Sequence, residues 1–191
     1  MIKNILLVGV GGQGTILASK ILTIGLMEAG YDVKMSEIHG MSQRGGSVSS
    51  QLRYGEKVYS PVIELGGADI LVSFEQMEAL RWLEYLKPDG KLILNDYRIN
   101  PMPVISGKAE YPEGIVQDIK AKTNAHVFDA ATEAVELGDA RVMNIILLGA
   151  TVKLMGLENI GWDKIITENV KSDFVGINIK ALKRGKELVN Q

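Results

Sequence analysis

After Lys3 and Asn4, the chain turns apolar in one unbroken run, Ile5-Leu6-Leu7-Val8, the pattern of a short β-strand. It leads into Gly9-Val10-Gly11-Gly12-Gln13-Gly14, and the period then changes. Ile16, Leu17, Ile21, Ile24 and Met27 recur at helical spacing, so a helix with one buried face is predicted over 13–29, closed by Gly30. Residues 31–37 predict a second strand. From Ser47 to Tyr54, Val48, Ser50, Leu52 and Tyr54 alternate with Ser49, Gln51 and Arg53, which predicts another strand, and Gly55-Glu56 predicts a hairpin turn with Lys57-Val58-Tyr59 returning.

Strand and helix alternate again from Ala68. The pattern predicts a strand over 69–74, a helix over 75–86 burying Met77, Leu80 and Leu83, a turn at Lys87-Pro88-Asp89-Gly90 and a strand over 91–95. Residues 97–114 carry three of the five prolines and read as an extended excursion. A short helix over 115–123, a strand over 125–130 and a helix from 132 follow. Residues 141–155 are apolar almost all round, the mark of a helix buried in a core or against another subunit, and the methionines there suit a subunit seam. Asn144 on that helix needs a hydrogen-bond partner. Helices over 162–170 and 175–189 complete the chain, the latter with Val175, Ile179, Leu182 and Val189 as its buried stripe.

Strands that alternate with helices pair in parallel through right-handed crossovers. The expected fold is therefore α/β: one Rossmann-like domain over 1–191 in three layers, with a mostly parallel sheet, an antiparallel hairpin edge and helices on both faces. A chain of 191 residues buries about 70% of its unfolded surface, enough for a core without staples. The absence of cysteine excludes disulfides, thiolate zinc sites and iron–sulfur ligation by this chain. A net charge of -2 gives no electrostatic drive toward nucleic acid or an anionic membrane surface. The longest apolar run, around 145–150, is too short to span a bilayer, and the strand-like start lacks a signal pattern, so a cytoplasmic protein is expected.

The candidate chemistry lies in two glycine-rich stretches. The Gly-x-Gly-x-x-Gly spacing suits a strand–turn–helix unit in which Gly9 starts a tight turn, Gly11 lets a phosphate near the backbone and Gly14 lets helix and strand pack closely. The same spacing also fits a packing turn that binds nothing. The second stretch, His39-Gly40-Met41-Ser42-Gln43-Arg44-Gly45-Gly46, is expected on the same sheet edge, where Arg44 and bare backbone amides suit a phosphate or carboxylate. The candidate cofactor-binding residues are Gly9, Gly11, Gly12, Gln13, Gly14, Ser42, Gln43, Arg44, Gly45 and Gly46. Glu37 fits either a ribose contact or a solvated strand end. Glu75 and Asp96 fall at carboxyl ends of strands, as an acid–base pair or as helix caps, and no catalytic residue is assigned. His39 and His126 are isolated, so no metal site is expected.

Four segments together resemble a known family: Gly9 to Gly14, Gly40 to Gly46, Ala68-Asp69 through Phe74-Glu75, and Arg141-Val142-Met143-Asn144. The chain resembles the small subunit of indolepyruvate ferredoxin oxidoreductases, equivalent to the gamma subunit of 2-oxoacid (pyruvate or ketoisovalerate):ferredoxin oxidoreductases. Residues 39–42 depart from the loop of other gamma subunits, which favours the indolepyruvate or aryl-pyruvate type. The resemblance implies CoA-dependent oxidative decarboxylation of a 2-oxoacid to acyl-CoA, carbon dioxide and reduced ferredoxin. Thiamine diphosphate and the iron–sulfur clusters would be held by a large partner subunit, and this chain would hold no redox centre. It would belong to a hetero-oligomer that meets ferredoxin, with Arg44 and the amides of Gly11 to Gly14, Gly45 and Gly46 meeting the coenzyme A phosphates or the partner. Two other readings remain open: a free-standing dinucleotide-binding oxidoreductase and a non-catalytic assembly module.

Overall fold

The aliphatic run at the start becomes β1 (Lys3–Val10), with Ile5 to Val8 fully buried by helices on both sides. The computed structural model describes residues 2–40 and 45–189, so the expectations attached to Ser42, Gln43 and Arg44 lie outside the described residues. α1 (Thr15–Glu28) returns the chain to β2 (Asp32–His39), which turns back into β3 (Ser47–Gly55). β4 (Ala68–Ser73), α2 (Gln76–Trp82), β5 (Leu86–Asn95), α3 (Met102–Ile105) and α4 (Ile115–Lys122) follow. The chain ends in β6 (Asn124–Phe128), α5 (Ala130–Leu137), α6 (Met143–Leu154), α7 (Trp162–Asn169) and α8 (Val175–Leu188).

The sheet order is β2-β3-β1-β4-β5-β6. β1, β4, β5 and β6 pair in parallel, and β3 runs antiparallel between β1 and β2. Strand alternation sends Ile5, Leu7, Ile70 and Val72 into a core with α1, α5, α6, α7 and α8. Leu6, Val8, Leu71 and Leu92 enter the other core, which α2, α4 and Tyr111 close. The expected α/β class, with a mostly parallel sheet and an antiparallel edge, is thus borne out.

The hairpin itself is elsewhere than expected. It joins β2 to β3 through residues 40–46, where the Gly40 amide donates to the Ser47 carbonyl at 3.1 Å. No strand forms at 57–59, because both edges of β3 are already taken. There the Val58 amide donates to Asp32 Oδ2 at 2.9 Å, and just beyond, Arg53 Nη1 donates to the Ser60 and Val62 carbonyls.

Burial also departs from the apolar count. α1 buries Thr15, Ala18, Ser19, Ile21, Leu22, Gly25 and Leu26, whereas Ile16 and Met27 are 47% and 60% exposed. Small residues let α1 lie close to its neighbours: a Cβ on Gly25 would come within 2.4 Å of the Trp162 ring. α2 stops at Trp82, leaving Leu80 exposed, and the expected turn at 87–90 is the start of β5, which pairs irregularly with β4. β6 ends at Phe128, and Asp129 caps α5 by accepting from the Ala131 and Thr132 amides.

α6 is buried from Met143 to Val152 within this chain, so the core alternative holds over the subunit seam. Its closest neighbour is α8, whose fully buried positions are Asn178, Ala181, Leu182 and Gly185, with Val175 and Ile179 only partly covered. The two backbones touch at glycines. A Cβ on Gly149 would fall 2.1 Å from the Leu182 carbonyl oxygen, and one on Gly185 1.9 Å from that of Ile146.

Candidate functional site

β1 delivers its last residue, Val10, to the edge of the sheet where β3 begins, and Val10 pairs with Ser47 there. The turn that follows is made by Gly12 and Gly14, at φ +102° and +79°, a region that disfavours other residues. Gly9 does not make the turn: it is still within the strand, paired with Val48. A Cβ at Gly9 would stand 2.9 Å from both Gln13 Oε1 and Phe74 Cβ, so this glycine clears space for the side chain of Gln13.

Gln13 closes the turn from inside. Its Oε1 accepts from the Val10 amide at 2.7 Å, and its Nε2 donates to the Phe74 carbonyl at 2.9 Å. Its amide therefore braces the turn. Gly14 serves a helix–helix approach rather than the expected helix–strand one, since a Cβ there would lie 2.5 Å from Asn144 Nδ2. Asn144 finds its partner in the Gly14 carbonyl, to which Nδ2 donates at 3.1 Å, while its buried Oδ1 has none among the described residues.

The two glycine stretches meet. The Gly11 amide donates to the Gly46 carbonyl at 2.9 Å, joining the turn after β1 to the end of the β2–β3 loop. A groove of about 510 Å³ opens beside this junction, lined by Gly11, Gly12, Gly14, Thr15, Ile16, His39 and Val48. α1 begins at the groove with glycine as N-cap and no side-chain cap, so its first amides and positive dipole end are offered to an anion. Gly45, at φ +79°, also lies on this loop.

Across the turn, a second hollow of about 350 Å³ is lined by Gly12, Gln13, Gly14, Ala140, Arg141 and Met143. Arg141 is fixed there by Asp139, with Nη2 2.6 Å from Oδ2, and by stacking 4.6 Å over the Phe174 ring. Its guanidinium holds the Asp139 carboxyl well below the usual carboxylate range, at about 2. In the sequence, the signal for this guanidinium is the Asp139-Ala140-Arg141 spacing that fixes it.

Glu37 does not stand where a ribose-binding acid would. Glu37 pairs across to Ser50, which pairs with Leu7, so β3 separates it from β1 by two strand spacings, about 10 Å. In dinucleotide folds the acidic strand lies directly beside the first. Here the Glu37 carboxylate accepts from Ser19 Oγ at 2.9 Å and lies 3.9 Å from His39 Nε2.

Glu75 is a cap. Its buried carboxylate accepts from the Glu78 amide at 3.0 Å, the Ile99 amide at 3.1 Å and the Tyr111 hydroxyl at 2.5 Å. Burial and the Glu75 charge push the Tyr111 hydroxyl far up. Asp96 is exposed and accepts from Gln76 Nε2 at 2.6 Å, so the two acids do not form a pair. Glu78, which no sequence pattern marks, is buried near them and accepts from Ser47 Oγ at 2.5 Å. His126 sits on β6, where burial and then Lys91 lower its pKa. Among the described residues no three potential metal ligands cluster.

The family of pyruvate ferredoxin/flavodoxin oxidoreductases matches the chain over residues 4–188. The chain belongs to this family. It is 38% identical to the indolepyruvate oxidoreductase subunit IorB of Pyrococcus horikoshii, covering 98% of each chain. It is 29% identical to the 2-oxoglutarate synthase subunit KorC of Methanothermobacter marburgensis, over 99% of this chain and 97% of that one. The fold matches the pyruvate oxidoreductase subunit PORC of Thermotoga maritima with a TM-score of 0.73 at 24% identity, over 97% and 96% of the two chains. It also matches 31% of a 2-oxoglutarate:ferredoxin oxidoreductase chain from Magnetococcus marinus, with a TM-score of 0.74 at 19% identity over 99% of this chain. That structure holds 2-oxoglutarate, coenzyme A and succinyl-CoA. The resemblance carried by the two glycine stretches and Arg141 to Asn144 is thus a family relationship. No described helix is long and apolar enough to cross a membrane.

Proposed function

We propose that this chain is the small subunit of a 2-oxoacid ferredoxin oxidoreductase of the indolepyruvate or aryl-pyruvate type, and that its joined glycine loops receive the phosphates of coenzyme A. The observation that carries the reading is the Gly11–Gly46 hydrogen bond, which places two phosphate-suited backbones at the uncapped start of α1. In the assembled enzyme the 2-oxoacid loses carbon dioxide and two electrons, its acyl group passes to the coenzyme A sulfur, and the electrons leave through clusters to ferredoxin. A chain without cysteine supplies no thiolates for those clusters, which agrees with the division of labour the resemblance implies, in which a large partner would hold both the clusters and thiamine diphosphate. The work left to this chain is to bind and orient the co-substrate: backbone amides and Arg44 hold the phosphates, and Ile16 and Val48 give the groove an apolar wall.

The interposed β3 counts against a free-standing dinucleotide enzyme, because it removes Glu37 from the ribose position. In the complex reconstituted with its large subunit, Arg44→Ala should raise KM for coenzyme A about tenfold, the loss of one charge-assisted contact, and leave KM for the 2-oxoacid unchanged. An unchanged KM for coenzyme A would overturn the phosphate role and leave an assembly role.

A further inference from the structure

We propose that Glu78 is a positioning residue for the coenzyme A end of the site, acting through Ser47 to fix where the 40–46 loop rejoins the sheet. The inference rests on the coenzyme A reading above. Ser47 Oγ donates to Glu78 Oε2 at 2.5 Å, linking the first residue of β3 to α2 across 31 positions of sequence. The same Ser47 accepts from the Gly40 amide through its carbonyl, and the preceding residue, Gly46, accepts from Gly11. One side chain therefore anchors the point at which both ends of the loop and the β1 turn converge.

The geometry places this anchor behind the site. Neighbouring strand residues point to opposite faces, so Val48 lines the groove while Ser47 turns toward α2. The anchor holds the loop without occupying ligand space. Glu78 is also a poor choice for packing alone: it is only 4% exposed, with Arg81 Nε 3.5 Å from its other oxygen and the Glu75 carboxylate nearby. A buried carboxylate destabilises a fold unless it is hydrogen-bonded and paired, and here Ser47 Oγ and Arg81 supply those partners, with Trp82 beside them.

The test uses the reconstituted complex with Ser47→Ala, Glu78→Ala, the double variant, Glu78→Gln and Arg44→Ala. Each alanine variant should raise KM for coenzyme A about tenfold, with KM for the 2-oxoacid unmoved and kcat falling far less. The double variant should be no worse than either single one, because both remove the same bond. Glu78→Gln keeps an oxygen to accept from Ser47 and should retain the parent KM. Ser47→Ala, which deletes one oxygen, keeps the question open to decision if Glu78→Ala does not fold. Additive effects, equal rises in both KM values, or no rise while Arg44→Ala does raise it would overturn the positioning role alone. No rise in any variant, Arg44→Ala included, would overturn the coenzyme A reading with it.

Discussion

Asn144 at the start of α6 and Gly14 at the head of α1 are joined by a 3.1 Å hydrogen bond across 130 positions of sequence. The bond exists because Gly14 has no Cβ; one would lie 2.5 Å from the Asn144 amide nitrogen. Gly14→Ala adds that clash to a φ of +79° and should destabilise the chain by about 2–4 kcal/mol, measured by urea unfolding. Adding Asn144→Ala should recover part of the loss, since it removes the clash and leaves the backbone strain. Strictly additive losses would contradict this account.

The glycine contacts between α6 and α8 make a second prediction. Gly185→Ala would drive its Cβ into the Ile146 carbonyl and should cost about 3 kcal/mol as the helices are forced apart. Gly176, also on α8, meets nothing within 4 Å and has no positive φ. Gly176→Ala should stabilise by up to about 1 kcal/mol through helix propensity alone. Equal destabilisation in both variants would mean that the close approach of α6 and α8 is not what holds this region.

Burial raises the Glu78 pKa, opposed by the Ser47 hydrogen bond and the Arg81 charge and reinforced by Glu75. The folded state then binds the proton more tightly than the unfolded one, so this group lowers stability as pH rises above the unfolded value of about 4.3. Glu78→Gln should therefore raise the melting temperature at pH 7, with the gain shrinking as pH falls toward 4. A gain that is the same at both ends of that range would show that Glu78 is not the group responsible.

His126 has the opposite sign. Burial, then the Lys91 charge, lowers its pKa, so the unfolded state takes up the proton first. Stability contributed by the neutral imidazole is full above the unfolded value of about 6.5 and is lost as pH falls below it. His126→Gln should flatten the stability profile below pH 6.5, and an unaltered slope there would contradict the assignment.

The continuous aliphatics of β1 and the nearly all-round apolar pattern of α6 were legible, because burial on every side leaves few polar positions to mislead. The hairpin was not, because residues 40–46 and 55–56 are both turn-like and local pattern does not reveal which neighbouring strand pairs with each edge of β3. Ile16 and Met27 were misplaced for a different reason: Ala18, Ser19 and Gly25 decide how closely α1 can approach, so small residues define its buried face. The meeting of the two glycine stretches followed from fold class. Glu78 and Ser47 are ordinary residues in unremarkable surroundings, and only the sheet brings them together.

The two hydrogen bonds of Gln13 hold the turn in one shape without help from any ligand. A loop held this way would surrender little conformational entropy to a ligand, so in the proposed role its amides form a fixed template rather than a closing flap. If the groove takes the phosphates proposed above, selectivity at this end follows from the spacing of donors along a rigid backbone: an anion of the wrong size would find them out of reach, with no rearrangement to rescue it.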